Sequence, residues 1–237
     1  MSLDVKICGL KTPEAVAAAL EAGADMIGFV FFPRSPRNVS LDEAIALAAP
    51  ARGRARIVAL VVDADDASLD AIAARLAPDL LQLHGHESPE RVAAVAARTR
   101  LPVMKALAVA EAADLAVVPA YVPHVAAILF DAKPPRTPDA LPGGNGLAFD
   151  WRLVRDLDPG RPIMLSGGLN PENVAEAIAV TGVGRIDVSS GVESAPGVKD
   201  PARIRAFIDA ARDADRRRGS PSSEADGARQ PNRGRKS

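Results

Sequence analysis

The chain has 237 residues, 48% of them hydrophobic and 25% charged, with a formal net charge of −1 and only 3% aromatic residues. This balance excludes a basic surface for nucleic acids and the aromatic platforms on which single strands stack. A single cysteine excludes an intrachain disulfide, and no apolar run approaches the roughly 20 residues that span a membrane. Because no secretory signal begins the sequence either, we expect a cytoplasmic protein with no membrane or nucleic-acid partner.

Eight short apolar runs predict β-strands, at residues 4–7, 26–32, 56–62, 79–83, 103–107, 127–130, 162–165 and 185–188. Between and after them, helical periodicity predicts helices at residues 14–22, 41–49, 68–76, 90–98, 111–118, 151–157, 172–180 and 202–214, the sixth of which is weak. Caps followed by proline predict four helix starts, at Thr12, Ser88, Asn170 and Asp200, and residues 40–43 read as a capping box.

The alternation of strands and helices predicts parallel strands joined by crossover helices. Eight strands favour a single α/β domain, a closed (β/α)₈ TIM barrel over residues 1–215, rather than an open doubly wound sheet. A long loop at residues 133–146, rich in Pro and Gly, precedes the weak sixth helix and is typical of a functional or disordered segment. Residues 216–237 are polar and basic, and predict a disordered tail.

Polar side chains gather where the predicted strands end, the usual place of a barrel active site. Residues two apart on a strand point the same way, so each of three pairs shares a face. The pairs are Lys6 and Cys8, Gln82 and His84, and Asp187 and Ser189. An aliphatic core has no place for these groups, so we expect them at the mouth of the barrel.

Two glycine-containing loops follow the seventh and eighth predicted strands and predict a phosphate site. The first holds Gly167 and Gly168, and the second holds Ser189, Ser190 and Gly191. Glycine lets backbone N–H groups approach an anion closely, and a helix N-terminus nearby adds to the attraction. Each loop alone is also typical of an ordinary turn, but the pair matches the usual phosphate position of a barrel.

Asp131 ends the sixth predicted strand, where it forms either an acid–base pair with Cys8 or a cap for the following turn. Cys8 itself is either a catalytic thiol or a small packing residue. Lys6 on the same strand face either favours the thiolate or pairs with a neighbouring carboxylate. Arg34 and Arg37 follow the second strand. An arginine there either binds a substrate carboxylate or contributes to the solubility of a surface loop.

His84, His86 and His124 form no recognisable zinc pattern, so we expect no metal. The sequence also lacks a P-loop and a hydrolase nucleophile elbow.

A series of motifs resembles the phosphoribosylanthranilate isomerase family of tryptophan biosynthesis. In chain order they are Lys6-Ile-Cys-Gly-Leu10, Gly28-Phe-Val-Phe31 with Ser35-Pro-Arg37, Gln82-Leu-His-Gly85, Asp131, Gly143-Gly-Asn-Gly146 with Phe149-Asp-Trp151, Ser166-Gly-Gly-Leu169 and Asp187-Val-Ser-Ser-Gly-Val-Glu193. The resemblance runs from residue 5 to about residue 207, and Asn145 stands where the family often has Ser or Thr.

The resemblance implies a barrel that catalyses an Amadori rearrangement of a small phosphoribosyl substrate, N-(5-phosphoribosyl)anthranilate, without a cofactor. Asp131 would be the general acid that opens the ribose ring, and Cys8 the general base that removes the C2 proton. Arg37 would bind the anthranilate side, and Asp187 the ribose hydroxyls. Gly167, Gly168, Ser189, Ser190 and Gly191 would hold phosphate, while Gln82, His84 and Glu193 belong to matching motifs on the substrate side. The oligomeric state stays open.

Three other functions compete with this one. The histidine-pathway aminoaldose isomerase shares the fold and the reaction type, but is expected to have a carboxylate where this chain has Cys8. A Schiff-base aldolase would use Lys105 or Lys133. A phosphosugar-binding barrel without catalysis is the third, and the presence of both Cys8 and Asp131 argues against it.

Overall fold

Eight parallel strands close into a barrel in the computed structural model, which describes residues 3–134 and 141–219. The strands are β1 (Asp4–Cys8), β2 (Met26–Phe31), β3 (Arg56–Val61), β4 (Leu80–Leu83), β5 (Val103–Val109), β6 (Ala127–Ala132), β7 (Ile163–Leu165) and β8 (Arg185–Val188). β8 pairs with β1, and Asp187 lies beside Lys6 at this closing seam. The predicted TIM barrel is confirmed, and each predicted strand agrees with the structure to within two residues.

Helices follow the strands around the outside of the barrel. The α-helices are α1 (Pro13–Glu21), α2 (Leu41–Ala48), α3 (Asp66–Ala71), α4 (Pro89–Thr99), α5 (Val118–Tyr121), α6 (Val174–Thr181) and α7 (Pro201–Gly219). A π-helical turn, Ile72–Leu76, continues α3, and 3₁₀ turns Ala112–Val117 and Val122–His124 flank α5. No helix in the described part of the chain is long and apolar enough to cross a membrane.

Side-chain caps start most of these helices as predicted. Thr12 and Ser88 each accept a hydrogen bond from a backbone N–H in the first turn, and Ser40 forms the full capping box with Glu43. The regular part of α6 begins later than predicted, at Val174. Asn170 still makes the bonds of a cap across an irregular first turn, because its side chain accepts from the Glu172 and Asn173 N–H groups and its carbonyl accepts from the Val174 N–H at 3.1 Å.

Two predicted helices are shorter or more irregular than expected. The fifth is mostly 3₁₀, since Pro119 and Pro123 remove backbone donors from it. The sixth is a single 3₁₀ turn, Trp151–Val154, capped by Asp150.

The last helix runs beyond its predicted end. α7 continues to Gly219, so residues 216–219 are helical rather than part of the predicted tail. Arg218 stabilises this end by donating hydrogen bonds to the Gly182 and Val183 carbonyls at 2.9 and 3.0 Å. Residues 135–140 of the predicted loop and residues 220–237 of the predicted tail lie outside the described residues.

A hairpin that the sequence did not predict follows β8. It consists of β9 (Glu193–Ala195) and the antiparallel β10 (Val198–Lys199), joined through Gly197. Gly197 has φ +78°, and a Cβ there would lie 2.5 Å from the Pro36 carbonyl oxygen, so only glycine lets the hairpin pack on the loop after β2. Glu193 and Lys199 therefore reach the mouth of the barrel.

Alternation along the strands separates two cores. One set of strand side chains packs against the helices in the large outer core, among them Ile7, Phe29 and Leu165. The other set faces inward, and its lower layer is a small apolar cluster of Met26, Val58, Met104, Ala106, Ala127, Leu129 and Met164. Above that layer the inward face becomes polar, with buried Lys6, Gln82 and Asp187.

We predict that Phe207→Ala lowers the free energy of unfolding by about 3 to 5 kcal/mol, because it leaves a cavity in a packed core. Phe207 is fully buried on α7, which packs against α1 and α6. Denaturant unfolding measures the loss. The matched control is Val117→Ala, whose side chain is 48% exposed and whose truncation should change little. Equal losses in the two variants would contradict this packing.

Candidate active site

A cavity opens at the C-terminal ends of the strands. Cys8, Asp131 and Asp187 line it together with Arg37 and His84. The structure therefore brings the predicted acid, the predicted base and three predicted substrate-binding residues to one cavity. The polar and glycine-rich part of the lining also includes Ser166, Gly167, Gly168, Ser189, Ser190 and the segment 141–147.

Cys8 is the last residue of β1, and its side chain is held between a cation and an apolar patch. Lys6 lies two residues earlier on the same face and donates to Asp187 Oδ1 at 2.9 Å. Val30 and Leu60 pack with Cys8 on its apolar side. Gly28 of β2 provides the space for the thiol, because a Cβ at this position would lie 3.0 Å from Cys8 Sγ. The thiol is thus buried at the mouth, with a charged pair beneath it.

Opposing effects set the protonation of this thiol. Burial raises the pKa of Cys8 above its ordinary value, since the thiolate loses hydration. Lys6 and Lys199 lower the pKa of Cys8, whereas the Asp187 carboxylate raises it further. Burial also lowers the pKa of Lys6, but Asp187 and Cys8 more than offset this and leave that pKa above its ordinary value. Lys6 is therefore paired with a carboxylate, and it also lies where its positive charge lowers the pKa of the Cys8 thiol.

Asp131 is the centre of a hydrogen-bonded group at the end of β6. Its Oδ1 accepts from the Ala132 backbone N–H at 2.9 Å, and its Oδ2 lies 3.2 Å from His84 Nε2. Gln82 Nε2 lies 2.8 Å from His84 Nδ1, while Gln82 Oε1 is buried without a hydrogen-bond partner. Gln82 is fully buried and does not line the cavity, so it acts on the site through His84.

Arg37 is fixed by a carboxylate from the hairpin after β8. Its Nε and Nη2 donate to the two oxygens of Glu193 at 2.7 and 2.8 Å, a bidentate pair. Nη2 also donates to the Gly144 carbonyl at 3.2 Å. Glu193 does not line the cavity, and Arg34 is exposed outside it. Of the two arginines that the sequence left as alternatives, the structure therefore places Arg37 in the cavity and Arg34 outside it.

The two loops predicted to hold phosphate lie against each other. Gly167 and Gly168 have φ +85° and +67°, which favour glycine. Gly191 lies under the first loop, where a Cβ would come 1.8 Å from the Leu169 carbonyl oxygen. Gly191 therefore brings the loops together rather than lining the cavity. Because α6 begins at Val174, its N-terminus is farther from these loops than the sequence predicted.

The Ser189 hydroxyl joins the ends of β8 and β1. It donates to the Cys8 carbonyl at 3.1 Å and accepts from Lys199 Nζ at 3.2 Å. Ser189 is thus a structural link as well as a lining residue.

The segment 141–147 lies over the mouth and covers the polar groups. A Cβ on Gly143 would lie 2.6 Å from both Asp131 Oδ2 and His84 Nε2, and one on Gly144 would lie 2.5 Å from Arg37 Nη1. Glycine at these positions lets the backbone touch the site. Asn145 donates to the Leu141 carbonyl at 2.8 Å and so closes a turn within the segment.

Sequence reasoning missed two residues at this site, Lys199 and Ser166. Lys199 is buried and pairs with Glu193 at 2.6 Å, and Ser166 donates to Asp187 Oδ2 at 3.2 Å. Ser166 begins the Ser166-Gly-Gly-Leu169 motif, but only its position on the inward face gives it this bond. The pairing of Lys199 with Glu193 depends on the hairpin, whose one local signal is the turn dipeptide Pro196-Gly197.

The two lysines considered for a Schiff base lie elsewhere. Lys105 points away from the barrel interior and pairs with Glu87 at 2.9 Å in the outer core. Lys133 pairs with Asp114 at the surface. Neither lines the cavity.

Comparisons with known proteins agree with the motif resemblance. A family model described as N-(5'phosphoribosyl)anthranilate (PRA) isomerase matches residues 5–210. The N-(5'-phosphoribosyl)anthranilate isomerase of Azorhizobium caulinodans is 58% identical over 215 residues, which cover 91% of this chain and 94% of the relative. That of Rhodopseudomonas palustris strain BisB5 is 61% identical over 213 residues, with 90% and 97% covered.

Solved structures agree as well. The phosphoribosyl anthranilate isomerase of Thermotoga maritima is 36% identical, has a TM-score of 0.79 and covers 89% of this chain and 99% of its own. A phosphoribosyl anthranilate isomerase in complex with reduced 1-(o-carboxyphenylamino)-1-deoxyribulose 5-phosphate is 34% identical with a TM-score of 0.76 and the same coverage. From residue 5 to residue 210, this chain belongs to the N-(5'-phosphoribosyl)anthranilate isomerase family.

Proposed function

We propose that this chain, an isomerase of N-(5'-phosphoribosyl)anthranilate in tryptophan biosynthesis, works through Cys8 as general base and Asp131 as general acid. The observation that carries the proposal is that both groups line one cavity at the mouth of the barrel, on different sets of buried partners. Catalysis by an acid and a base requires such unlike surroundings, since each must hold a different protonation state.

The reaction begins at Asp131. Its protonated carboxyl gives a proton to the ring oxygen of the ribose, the bond from C1 to that oxygen breaks, and the anthranilate nitrogen forms a Schiff base with C1. The Ala132 N–H and His84 hold the carboxyl group in place from two sides. The cover of residues 141–147 excludes water, which strengthens these interactions.

Cys8 takes the second step. Its thiolate removes the proton from C2, and the electrons of that bond move to the Schiff base and give an enolamine. The enolamine then tautomerises to the ketone of 1-(2-carboxyphenylamino)-1-deoxyribulose 5-phosphate. Lys6 assists by favouring the thiolate, in spite of the burial that raises the pKa of Cys8.

The rest of the cavity fits the ends of the substrate. Arg37 lines it as a cation and suits the anthranilate carboxylate, while the glycine loops 166–169 and 189–192 suit the phosphate. Asp187, at the seam between them, suits the ribose hydroxyls. His84 is on the substrate side, whereas Gln82 and Glu193 support His84 and Arg37. The proposal places the reaction in the cytoplasm, since a lone cysteine is typical of a reducing compartment.

The histidine-pathway aminoaldose isomerase is the alternative activity that is most similar in fold and reaction type. Cys8 stands where that enzyme is expected to have a carboxylate, which favours the anthranilate substrate. An assay with both substrates, run side by side, separates the two.

We predict that Cys8→Ser and Asp131→Asn each lower kcat by about 10²- to 10⁴-fold while KM changes little, because each removes a proton transfer and keeps the shape of the site. Loss of substrate fluorescence measures the rate. Asp209→Asn, on the exposed face of α7, is the matched control and should behave as the unmodified chain. Full activity in either site variant would refute its assigned role.

We also predict that Lys6→Met moves the rising limb of kcat/KM to higher pH. The rate rises with pH as the Cys8 thiolate forms, and Lys6 lowers the pKa of Cys8, so its removal requires a higher pH for the same thiolate fraction. A pH–rate profile measures the shift, with thermal unfolding as the check on folding.

Lys6→Met leaves the Asp187 carboxylate without its cation, and the double variant Lys6→Met/Asp187→Asn controls for this effect. Asp187 raises the pKa of Cys8, so its removal should bring the limb back toward lower pH. A limb that stays in place in Lys6→Met would show that Lys6 does not assist the base.

A further inference from the structure

Lys199 is a buried cation for which the proposed reaction has no step. It ends β10, and its side chain is only 2% exposed. Its Nζ donates to three acceptors, the Ser189 carbonyl at 2.9 Å, Ser189 Oγ at 3.2 Å and Glu193 Oε1 at 2.6 Å. An ammonium has three protons, so all of them are used within the protein. Lys199 therefore acts on a ligand through Ser189 and Glu193.

These two partners belong to the two proposed anion-binding parts of the site. Ser189 belongs to the second glycine loop and lines the cavity. Glu193 accepts two hydrogen bonds from Arg37, which lines the cavity beside residues 143–146. One ammonium thus holds an element of each proposed anion-binding region.

The Lys199 ammonium also contributes to the balance of charge around the cavity. Lys6 and Asp187 form one buried pair, and Arg37 and Glu193 form another. Lys199 is the additional cation beside these two pairs, and its charge offsets the negative charge that the Cys8 thiolate brings to the cavity in the proposed reaction. Without Lys199, a ligand that carries both a phosphate and a carboxylate would meet a net negative charge there.

We propose that Lys199 is a positioning residue for the two anionic ends of the substrate, which it sets at once by holding Ser189 of the phosphate loop and, through Glu193, the Arg37 guanidinium. The inference rests on the proposed function, because it takes the phosphate and carboxylate ends as assigned above. Lys199 does not take part in proton transfer.

The proposal has a signature in pH. Burial lowers the pKa of Lys199 to about 8, with Glu193 raising it and Arg37 lowering it. The charged or titratable groups that act on Lys199 are Glu193 on its own hairpin, Arg37 after β2 and Cys8 at the end of β1. The pKa of Cys8 lies above its ordinary value and that of Glu193 below its own. A transition that occurs in the unmodified chain but in neither Lys199→Arg nor Lys199→Met therefore belongs to Lys199.

The experiment measures the Kd of reduced 1-(o-carboxyphenylamino)-1-deoxyribulose 5-phosphate on both sides of that transition, by calorimetry on the full chain. We expect the unmodified chain to bind the compound more weakly above the transition. Lys199→Arg, which stays charged, should bind tightly at both pH values. Lys199→Met, which is never charged, should bind weakly at both, by about ten- to a hundredfold, as expected for a lost charged hydrogen bond.

Two further variants sharpen the result. Glu193→Gln breaks the link to Arg37 and keeps the one to Ser189, so it should weaken binding less than Lys199→Met does. Arg98→Gln removes one positive charge from the outer surface, where Arg98 pairs with Asp70, and should leave Kd unchanged. It separates a local effect from one of net charge, and circular dichroism confirms that each variant is folded.

The outcomes distinguish this inference from the proposed function. A Kd that is the same on both sides of the transition in the unmodified chain, or tight binding by Lys199→Met, would overturn the role of Lys199 alone. If the folded, unmodified chain does not bind the compound, the proposed substrate is wrong and the inference fails with it. Weak binding by a well-folded Lys199→Arg would show that Lys199 acts by its shape rather than its charge, which also overturns the proposal.

Discussion

The ion pair between Lys6 and Asp187 lies where the barrel closes, and the active site is built on it. The two residues face each other across the β1–β8 seam, 2.9 Å apart and almost fully buried. Desolvation of both charges opposes this arrangement, so the pair needs close contact and further hydrogen bonds to persist. Ser166 supplies one of them, to the second oxygen of Asp187. In the proposed reaction, the Lys6 charge of this pair acts on Cys8, two residues along β1.

The interior of the barrel divides into an apolar lower layer and a polar layer at the mouth. The lower layer contains three methionines, whose flexible side chains fill the narrow interior. In the polar layer, the two buried charges of Lys6 and Asp187 neutralise each other. Lys105 shows that the outer core follows the same rule, because it is accepted there only with Glu87 and two carbonyl oxygens. Pairing fixes the side chains near the mouth before a substrate arrives.

Local signals made most of the fold predictable. Strand lengths, caps and prolines are set by neighbouring residues, so the eight strands and the starts at Thr12 and Ser88 follow from the sequence. The start of α6 did not, because the Asn170 side chain also satisfies a turn that begins several residues before the helix. The hairpin that carries Lys199 was missed for a different reason. Its strands are only three and two residues long, too short for a periodic pattern on either side of the Pro196-Gly197 turn. Its place on the barrel is set by the contact of Gly197 with Pro36, which joins segments far apart in the chain.

The surroundings of Asp131 show what such long-range contacts add. Gln82 Nε2 faces His84 Nδ1, and an amide nitrogen only donates, so the ring proton lies on Nε2 and points to the carboxylate. In the other orientation of the amide, Gln82 Oε1 accepts from His84 Nδ1–H, and His84 Nε2 then faces Asp131 as an acceptor. Gln82 Oε1 is buried and has no partner in the present arrangement. The orientation of one buried amide therefore decides which tautomer of His84 faces Asp131, which is a property of the three residues together and of none of them alone.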